Sequence, residues 1–217
     1  MGMAERPLPR LVAATDRERL TKPDFAERLE ALVAAGCPAV LLRGGGLTDL
    51  AFYKQVCESG TCCRAAGAAL WVGDRADIAR ACGADAVQLP EHGMSIAGAR
   101  RAAGPGVRVG RSVHSLARAL AAAGDGVDHL VVGTIYASRS HPGIEPVGPE
   151  LVARIRAALD ARGTPVPVFG IGGLTPSRCQ AVVAAGAAGV VAIRALWDAA
   201  DPAAAVRAFS EALDSAP

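Results

Sequence analysis

Apolar residues along this chain form short continuous runs that alternate with longer amphipathic stretches. The runs lack the polar–apolar alternation of a half-exposed strand, which indicates parallel strands that are covered on both faces. Between the runs, apolar residues recur at helical spacing. The pattern predicts eight strands, at 10–14, 38–43, 69–73, 85–89, 106–110, 128–133, 166–170 and 188–193, and eight helices, at 24–35, 49–67, 76–82, 95–103, 115–123, 148–161, 176–185 and 201–213.

A repeated phrase supports this order of elements. Alanine-rich residues, a glycine and an apolar β-branched run follow one another at 34–43, 81–89 and 184–194, and more faintly at 124–132. Glycine commonly follows the last residue of a helix, so each copy predicts a helix that leads into a strand. Three of the helices also begin at candidate N-cap residues, namely Thr48, Ser115 and Thr175.

Eight strand–helix units in 217 residues predict a compact (β/α)8 TIM barrel. A doubly wound open sheet is the alternative with the same local pattern. Because no linker, low-complexity tract or change in composition divides the chain, we expect residues 1–217 to form a single TIM-barrel domain.

Composition and charge exclude several classes of partner. The formal net charge is only +2 and aromatic residues make up 4% of the chain, so neither a basic surface nor an aromatic stacking platform for nucleic acid is expected. The longest apolar run, 181–193, is too short to span a bilayer, so no membrane partner is expected. The N-terminal residues lack the order of a signal peptide, and we expect a cytoplasmic protein.

The six cysteines predict neither a metal site nor a redox motif. None of them forms a CxxC pair, and several lie within apolar stretches where a free thiol behaves as a small hydrophobic group. We therefore expect six reduced, inert thiols.

In a TIM barrel the functional residues lie at the carboxyl ends of the strands. Gly172 and Gly173 follow the seventh predicted strand and Arg194 the eighth, and a helix start follows Thr175. Backbone amides at such a corner bind phosphate, which is the prediction here, although glycine pairs also serve plain turns.

Other strand ends carry candidate ligand-binding residues. Arg43 leads into three glycines, and Asp74 either binds ligand or caps the next helix. The segment 134–147 on the same face is predicted to be a lid, with a variable surface loop as the alternative. The candidates for binding are Arg43, Asp74, Gln88 and Ser112, and the histidines predicted to lie on this face are His114 and His141. His92 and His129 are predicted to be structural.

Five motifs, in order along residues 10–210, carry a family resemblance. They are Val-Gly-Asp-Arg-Ala-Asp-Ile-Ala (72–79), Gly-Ala-Asp-Ala-Val-Gln-Leu-Pro (83–90), Gly-Arg-Ser-Val-His-Ser (110–115), Gly-Ile-Gly-Gly-Leu-Thr-Pro (170–176) and Gly-Ala-Ala-Gly-Val-Val-Ala-Ile (186–193). Together they resemble the thiamine phosphate synthase/TenI superfamily. The resemblance implies a TIM barrel, usually dimeric, that acts on thiazole phosphates, so a homodimer is expected.

The superfamily contains synthases, which couple hydroxymethylpyrimidine diphosphate to thiazole phosphate, and TenI-type thiazole tautomerases. The resemblance implies that a synthase holds magnesium and diphosphate with residues that this chain partly lacks. Gly45 stands at a lysine position, Gly73 at an asparagine position and His141 at a second lysine position, while Glu91 is the candidate for the acid after strand four. The motifs at 87–90 and 110–115 look closer to the tautomerase branch.

The expected function is accordingly a thiazole tautomerase that binds thiazole phosphate and needs no metal or other cofactor. Thr134 stands where that branch has its acid/base histidine, so His141 is ranked first and His114 second as acid/base, with Thr134 positioning water or ligand. Two alternatives remain open. One is a thiamine phosphate synthase, which would require magnesium, and the other is a non-catalytic ligand-binding barrel.

Overall fold

The computed structural model describes residues 7–16, 18–138, 143 and 145–215. Within them, eight parallel strands pair in chain order and close into a barrel, because β8 also pairs with β1. The TIM-barrel prediction is confirmed, and the open-sheet alternative is wrong. The strands are β1 Leu11–Ala14, β2 Ala39–Leu42, β3 Ala69–Gly73, β4 Ala86–Leu89, β5 Arg108–Val113, β6 His129–Val132, β7 Val168–Ile171 and β8 Gly189–Ala192.

The helices form the outer layer of the barrel. Thr48 and Ser115 cap their helices with side-chain oxygens as predicted, whereas the Thr175 side chain accepts no capping hydrogen bond from a backbone N–H of its helix. The helices are α1 Phe25–Ala34, α2 Asp49–Ala65, α3 Ala76–Ala81, α4 Ile96–Ala103, α5 Leu116–Gly124, α6 Gly148–Ala161, α7 Pro176–Ala184, α8 Arg194–Trp197 and α9 Pro202–Asp214, with a short 3-10 helix at Arg19–Thr21.

Successive residues of each strand face opposite sides, and both sides are mainly apolar. One set packs against the helices, and the other fills the barrel interior, where Trp71 and Phe169 are the largest side chains. Small residues such as Ala39 and Ala86 share this interior with them. This double burial explains why the strands read as continuous apolar runs in the sequence.

Two differences from the predicted elements bear on the site. β5 extends to Val113, beyond the predicted end at 110. The apolar pattern places the end too early because Arg111 and Ser112 are polar residues within the strand. Arg194 begins the short helix α8, which was not predicted, instead of ending β8. In α8 the buried Trp197 stacks on Phe25, with ring centroids 5.4 Å apart, and this contact anchors the segment.

The prediction of six reduced cysteines is wrong. Cys57 on α2 and Cys82 at the end of α3 form a disulfide, with Cα atoms 5.0 Å apart. The two residues are 25 positions apart in sequence, so a search for close spacings misses a pair that only the packing of neighbouring helices creates. The four other cysteines, Cys37, Cys62, Cys63 and Cys179, are free thiols.

Burial affects the free thiols in the expected direction. It raises the pKa of Cys37 to about 11 and that of Cys179 to about 11, so these thiols remain protonated near neutral pH.

Among the helices of the described residues, none is long and apolar enough to cross a membrane.

Candidate active site

A cavity of about 990 Å³ opens at the carboxyl ends of the strands. Every predicted site residue within the described part of the chain lines it. These residues are Arg43, Asp74, Gln88, Ser112, His114, Thr134, Gly172, Gly173 and Arg194. His141 and four other residues of the segment proposed as a lid, at 139, 140, 142 and 144, lie outside the described residues. The sequence therefore located the cavity wall correctly, and the roles of these residues remain predictions.

The end of β7 turns through two glycines whose backbone conformation excludes most other residues. Gly172 has φ +105° and Gly173 has φ +61°. A Cβ atom on Gly173 would lie 2.6 Å from the carbonyl oxygen of Ala137, so this turn packs directly against the chain that follows β6. The turn leads into α7, whose N-terminal amides carry partial positive charge. This corner, the β7–β8 end of the cavity, therefore suits an anion.

Arg178 adds a cation to that corner, and the sequence analysis did not single it out. Its Nη1 donates to the carbonyl oxygen of Gly173 at 2.6 Å, and its guanidinium lies 4.7 Å from the centroid of the Tyr136 ring. These two contacts orient an exposed arginine that lines the cavity. A basic residue in the first turn after a Gly-Gly turn is the signal that could have pointed to it.

Arg194 approaches the same end from α8. Its Nε lies 3.5 Å from a carboxylate oxygen of Asp16, just after β1, and its side chain is 36% exposed. The ion pair holds the guanidinium at the cavity wall without burying it. Arg194 therefore contributes positive charge to the cavity that Gly172 and Gly173 also line.

Residues that follow β2 and β3 form the part of the wall beyond β1. Arg43 donates from Nε to the carbonyl oxygen of Thr15 at 2.6 Å, which fixes the guanidinium against the end of β1. Burial lowers the pKa of Arg43, and the charge of nearby Asp16 opposes that shift. Asp74 adopts φ +66°, and its backbone N–H donates to the carbonyl oxygen of Gln88 at 3.0 Å.

The two predicted alternatives for Asp74 are now distinguishable. The N-cap of α3 is Arg75, and no side chain caps this helix. Among the described residues, the Asp74 carboxylate makes no hydrogen bond or ion pair, and it is exposed at the cavity mouth. The capping alternative is therefore wrong, and a ligand-binding role remains.

Glu91 and His114 form a pair at the ends of β4 and β5. One Glu91 oxygen accepts the backbone N–H of His114 at 3.1 Å, and the other lies 3.3 Å from Nδ1 of the same residue. His92 adds a contact of 3.5 Å to the carboxylate. Burial acts to raise the pKa of Glu91, but the backbone and ring of His114 outweigh it, so the pKa lies below its usual value. The sequence analysis names the acid but not this pairing.

Arg111 holds the loop that carries Glu91. It is only 9% exposed, and it donates to the carbonyl oxygens of Pro90 at 2.7 Å and Met94 at 2.5 Å. Its guanidinium is thereby hydrogen-bonded within the protein, and burial lowers the pKa of Arg111. Arg111 is a structural arginine rather than a further anion-binding group.

Gln88 joins the cavity floor to the barrel interior. Its Nε2 donates to Oγ of Ser112 at 3.1 Å, and its Oε1 lies 2.8 Å from Nε2 of His129. His129 is fully buried between Trp71 and Phe169, which agrees with its predicted structural character. Desolvation lowers the pKa of His129 to about 4, so the imidazole is neutral near pH 7.

Thr134 is buried just after β6, and its carbonyl oxygen accepts the N–H of Val147 at 2.9 Å. This bond closes the base of the segment 134–147, with one end of the segment tied to the other. Thr134 lines the cavity close to Gly172, because a Cβ on that glycine would lie 2.7 Å from the Thr134 methyl group. Its position suits ligand contact.

The donors at the cavity mouth limit which metal ion could bind. No group of three or more His, Cys, Asp or Glu side chains is placed to hold a metal ion anywhere in 7–16, 18–138, 143 and 145–215. Asp74 and Glu91 do, however, provide carboxylates at adjacent strand ends. Magnesium typically binds one or two carboxylates and completes its shell with water and substrate phosphates. The donor set therefore fits a magnesium ion that a phosphorylated substrate helps to hold.

Comparison with known proteins identifies relatives whose names all refer to thiamine or thiamine phosphate. The family model for thiamine monophosphate synthase, TMP-TENI, matches residues 11–196. The chain is 36% identical to the thiamine-phosphate synthase of Mycobacterium sp. (strain KMS), over 94% of this chain and 92% of the relative. It is 40% identical to the thiamine biosynthesis bifunctional protein ThiM/ThiE of Symbiobacterium thermophilum, over 87% of this chain but only 38% of that longer protein.

A solved structure agrees with the sequence relatives. The thiamine phosphate pyrophosphorylase from Pyrococcus furiosus superposes with a TM-score of 0.81 at 28% identity, and the match covers 94% of this chain and 95% of that one. Fold and sequence thus point to the same group of proteins.

These relatives contradict the tautomerase expectation, because the Mycobacterium relative is named a thiamine-phosphate synthase, the Pyrococcus structure is a thiamine phosphate pyrophosphorylase, and neither name describes a tautomerase. The expectation gave too much weight to missing cations at 45 and 141.

Proposed function

The chain belongs to the thiamine monophosphate synthase family, and we propose that it is a thiamine-phosphate synthase. In this proposal it joins hydroxymethylpyrimidine diphosphate to thiazole phosphate. A bond forms between the pyrimidine's methylene carbon and the thiazole nitrogen, the bond from that carbon to the diphosphate oxygen breaks, and diphosphate leaves. The alternative named from the sequence thus becomes the main proposal.

The observation that carries the proposal is a single cavity with two differently charged ends. In a closed ring of eight strands, β3 and β7 lie opposite each other. The β7–β8 end, with Gly172, Gly173, Arg178 and Arg194, suits the phosphate of the thiazole. Arg43, Asp74, Glu91 and His114 form the β2–β5 end, and they suit a diphosphate with its magnesium ion. A volume of about 990 Å³ leaves room for two small substrates.

At the β2–β5 end, the task of the protein is to stabilise negative charge on the departing diphosphate. The Arg43 guanidinium is already fixed by the carbonyl of Thr15, so little reorganisation is needed when charge develops. Glu91 orients the His114 ring at the same end of the cavity. A bound magnesium ion, held through Asp74 and Glu91, would supply further neutralising charge to the diphosphate.

At the β7–β8 end, the task is to position the second substrate. Binding of its phosphate by backbone amides and two arginines fixes the thiazole relative to the reacting carbon, and such positioning lowers the entropic part of the barrier. Because Arg178 and Arg194 are anchored by Gly173 and Asp16, the phosphate finds its cations in place.

The test is turnover by the purified protein. We expect hydroxymethylpyrimidine diphosphate, thiazole phosphate and magnesium to give thiamine phosphate and diphosphate in equal amounts, measured by chromatography and a diphosphate assay. Arg43→Met should lower kcat by about 10²-fold, because it removes a charged donor from the departing group. Arg207→Met, an exposed change on α9, is the matched control and should leave turnover unchanged.

Two results would contradict the proposal. Substrate consumption without thiamine phosphate would exclude the coupling reaction. Tight binding of both substrates with no turnover would instead favour the non-catalytic ligand-binding barrel that the sequence left open.

A further inference from the structure

Three side chains form a continuous hydrogen-bonded chain from the barrel interior to the cavity floor. It runs from His129 through Gln88 to Ser112, with separations of 2.8 Å and 3.1 Å. His129 is fully buried, Gln88 is 5% exposed, and Ser112 lines the cavity. Neither buried member has a part in holding the two phosphate groups of the proposed substrates.

The protonation of His129 decides which atom donates in each of these two hydrogen bonds. Because its pKa is lowered to about 4, the ring carries a single hydrogen near neutral pH. Nδ1 has no partner among the described residues, whereas Nε2 faces Oε1 of Gln88. Placing the hydrogen on Nε2 leaves only an acceptor unpaired, and buried donors without partners are the rarer case in proteins.

Once Oε1 of Gln88 accepts from His129, its amide nitrogen must face Ser112. Nε2 of Gln88 then donates to Oγ of Ser112, and within the described chain this is the only hydrogen bond that the Ser112 hydroxyl makes. The hydroxyl hydrogen is therefore left for an acceptor elsewhere. The cavity is where such an acceptor can come from, because Ser112 lines it.

Gly110 on β5 leaves the space that the side chains of His129 and Gln88 occupy. A Cβ atom there would lie 2.1 Å from Nε2 of His129 and 2.3 Å from Oε1 of Gln88. Any larger residue would displace the hydrogen bond between these two side chains. Trp71 packs on the other side of the imidazole, with ring centroids 4.5 Å apart, and restrains its orientation.

We propose that His129 and Gln88 are positioning residues that fix the Ser112 hydroxyl as a hydrogen-bond donor to a ring nitrogen of the substrate heterocycle. The inference rests on the proposed function for the identity of that heterocycle, which is the pyrimidine of hydroxymethylpyrimidine diphosphate. An aromatic nitrogen accepts one hydrogen bond in the plane of its ring, so a hydroxyl of fixed direction selects both the atom and the orientation of the ring.

The test compares two substitutions of nearly equal size at one buried position. His129→Gln keeps an N–H where Nε2 stands, and His129→Met does not. We expect His129→Met to weaken binding of hydroxymethylpyrimidine diphosphate roughly tenfold, as for one neutral hydrogen bond, while His129→Gln retains most of the affinity. Affinity for inorganic pyrophosphate, which lacks the heterocycle, should not change in either variant. Gln88→Met should behave as His129→Met does.

A double-mutant cycle shows whether His129 acts through Ser112. Ser112→Ala should also lose roughly tenfold, and adding His129→Met to it should cost nothing further. Additive losses, or equal losses in His129→Met and His129→Gln, would overturn the inference and leave packing as the role of His129. If the His129 variants do not fold, ¹⁵N NMR of the wild-type imidazole decides. A hydrogen found on Nδ1 would make Nε2 an acceptor, which would reverse both hydrogen bonds and overturn the inference.

The failure of this inference differs from the failure of the proposed function. A wild-type protein that binds neither phosphorylated substrate overturns both. A wild-type protein that binds and couples both substrates, with His129→Met and Gln88→Met binding as tightly as the parent, overturns the inference alone.

Discussion

At the β7–β8 end of the cavity the backbone sets the shape, whereas at the β2–β5 end paired side chains do. Gly172 and Gly173 adopt positive φ angles and pack against the chain after β6, so their amides are fixed by main-chain geometry. Glu91 and His114 come from different loops and meet only because β4 and β5 are neighbours. The backbone-built end is therefore sensitive to added volume, and the side-chain-built end is sensitive to changes of charge and protonation.

The largest effect is expected from Gly173→Ala. A methyl group would clash with the carbonyl of Ala137, and the φ of +61° adds strain for any L-residue. We expect a loss of about 3–5 kcal/mol in the free energy of unfolding and at least about 10²-fold weaker binding of thiazole phosphate. Chemical denaturation and calorimetry measure the two effects.

Gly163→Ala is the matched control for that change. Gly163 has nearly the same φ, +64°, but a Cβ there meets nothing within 4 Å. It should cost only about 1–2 kcal/mol and leave thiazole phosphate binding unchanged. Equal effects of the two substitutions would mean that close packing does not define the β7–β8 end.

The next largest effect concerns the outer layer beside the β2–β5 end. The Cys57–Cys82 disulfide joins α2 and α3, the helices that follow β2 and β3. Reduction should lower the free energy of unfolding by about 3 kcal/mol, because the unfolded chain regains the entropy of a loop. Denaturation with and without reductant checks this, and Cys57→Ala should abolish the difference. Thiazole phosphate binding at the other end should not change.

Replacing Arg178 should weaken binding only of the ligand that occupies the β7–β8 end. We expect Arg178→Met to weaken thiazole phosphate binding about tenfold, since an exposed charged hydrogen bond is lost, while inorganic pyrophosphate binding stays as it was. Arg207→Met changes net charge equally on the outer helix α9 and should affect neither ligand. Parallel weakening of both ligands would show that they share one anion site.

The smallest effect is that of Glu91→Gln on stability. The pKa of Glu91 is depressed in the folded protein, so its contribution is present above the usual glutamate pKa and is lost as the pH falls through the lower, folded value. The variant should be less stable by about 0.5 kcal/mol near pH 7 and equal to the parent in more acidic solution. Denaturation curves across this pH range test it, with exposed Glu58→Gln as the control.

The barrel was predictable from the sequence because its signals are local. Helix, glycine and strand recur in the same order, and the glycines that close these repeats, such as Gly36 and Gly83, adopt positive φ angles. The anion corner was predictable for the same reason, since Gly172 and Gly173 carry their geometry in the residue type. The short helix α8 was missed because four residues give too little periodicity.

The rest depends on contacts between distant segments. Cys57 and Cys82, Glu91 and His114, and His129 and Gln88 are each brought together by neighbouring barrel elements. Arg178 was missed because its role comes from Gly173 and Tyr136 and not from its own sequence context. No spacing rule reports such pairs before strand order and register are known.

The most direct test of the two-ended cavity is a crystal structure of the protein with thiazole phosphate, inorganic pyrophosphate and magnesium together. We predict the monophosphate on the amides of Gly172 and Gly173 beside Arg178 and Arg194. The pyrophosphate should lie beside Arg43, with magnesium between it and Asp74 and Glu91. Both anions on one corner, or a pyrophosphate at the β7–β8 end that excludes the thiazole phosphate, would contradict the account.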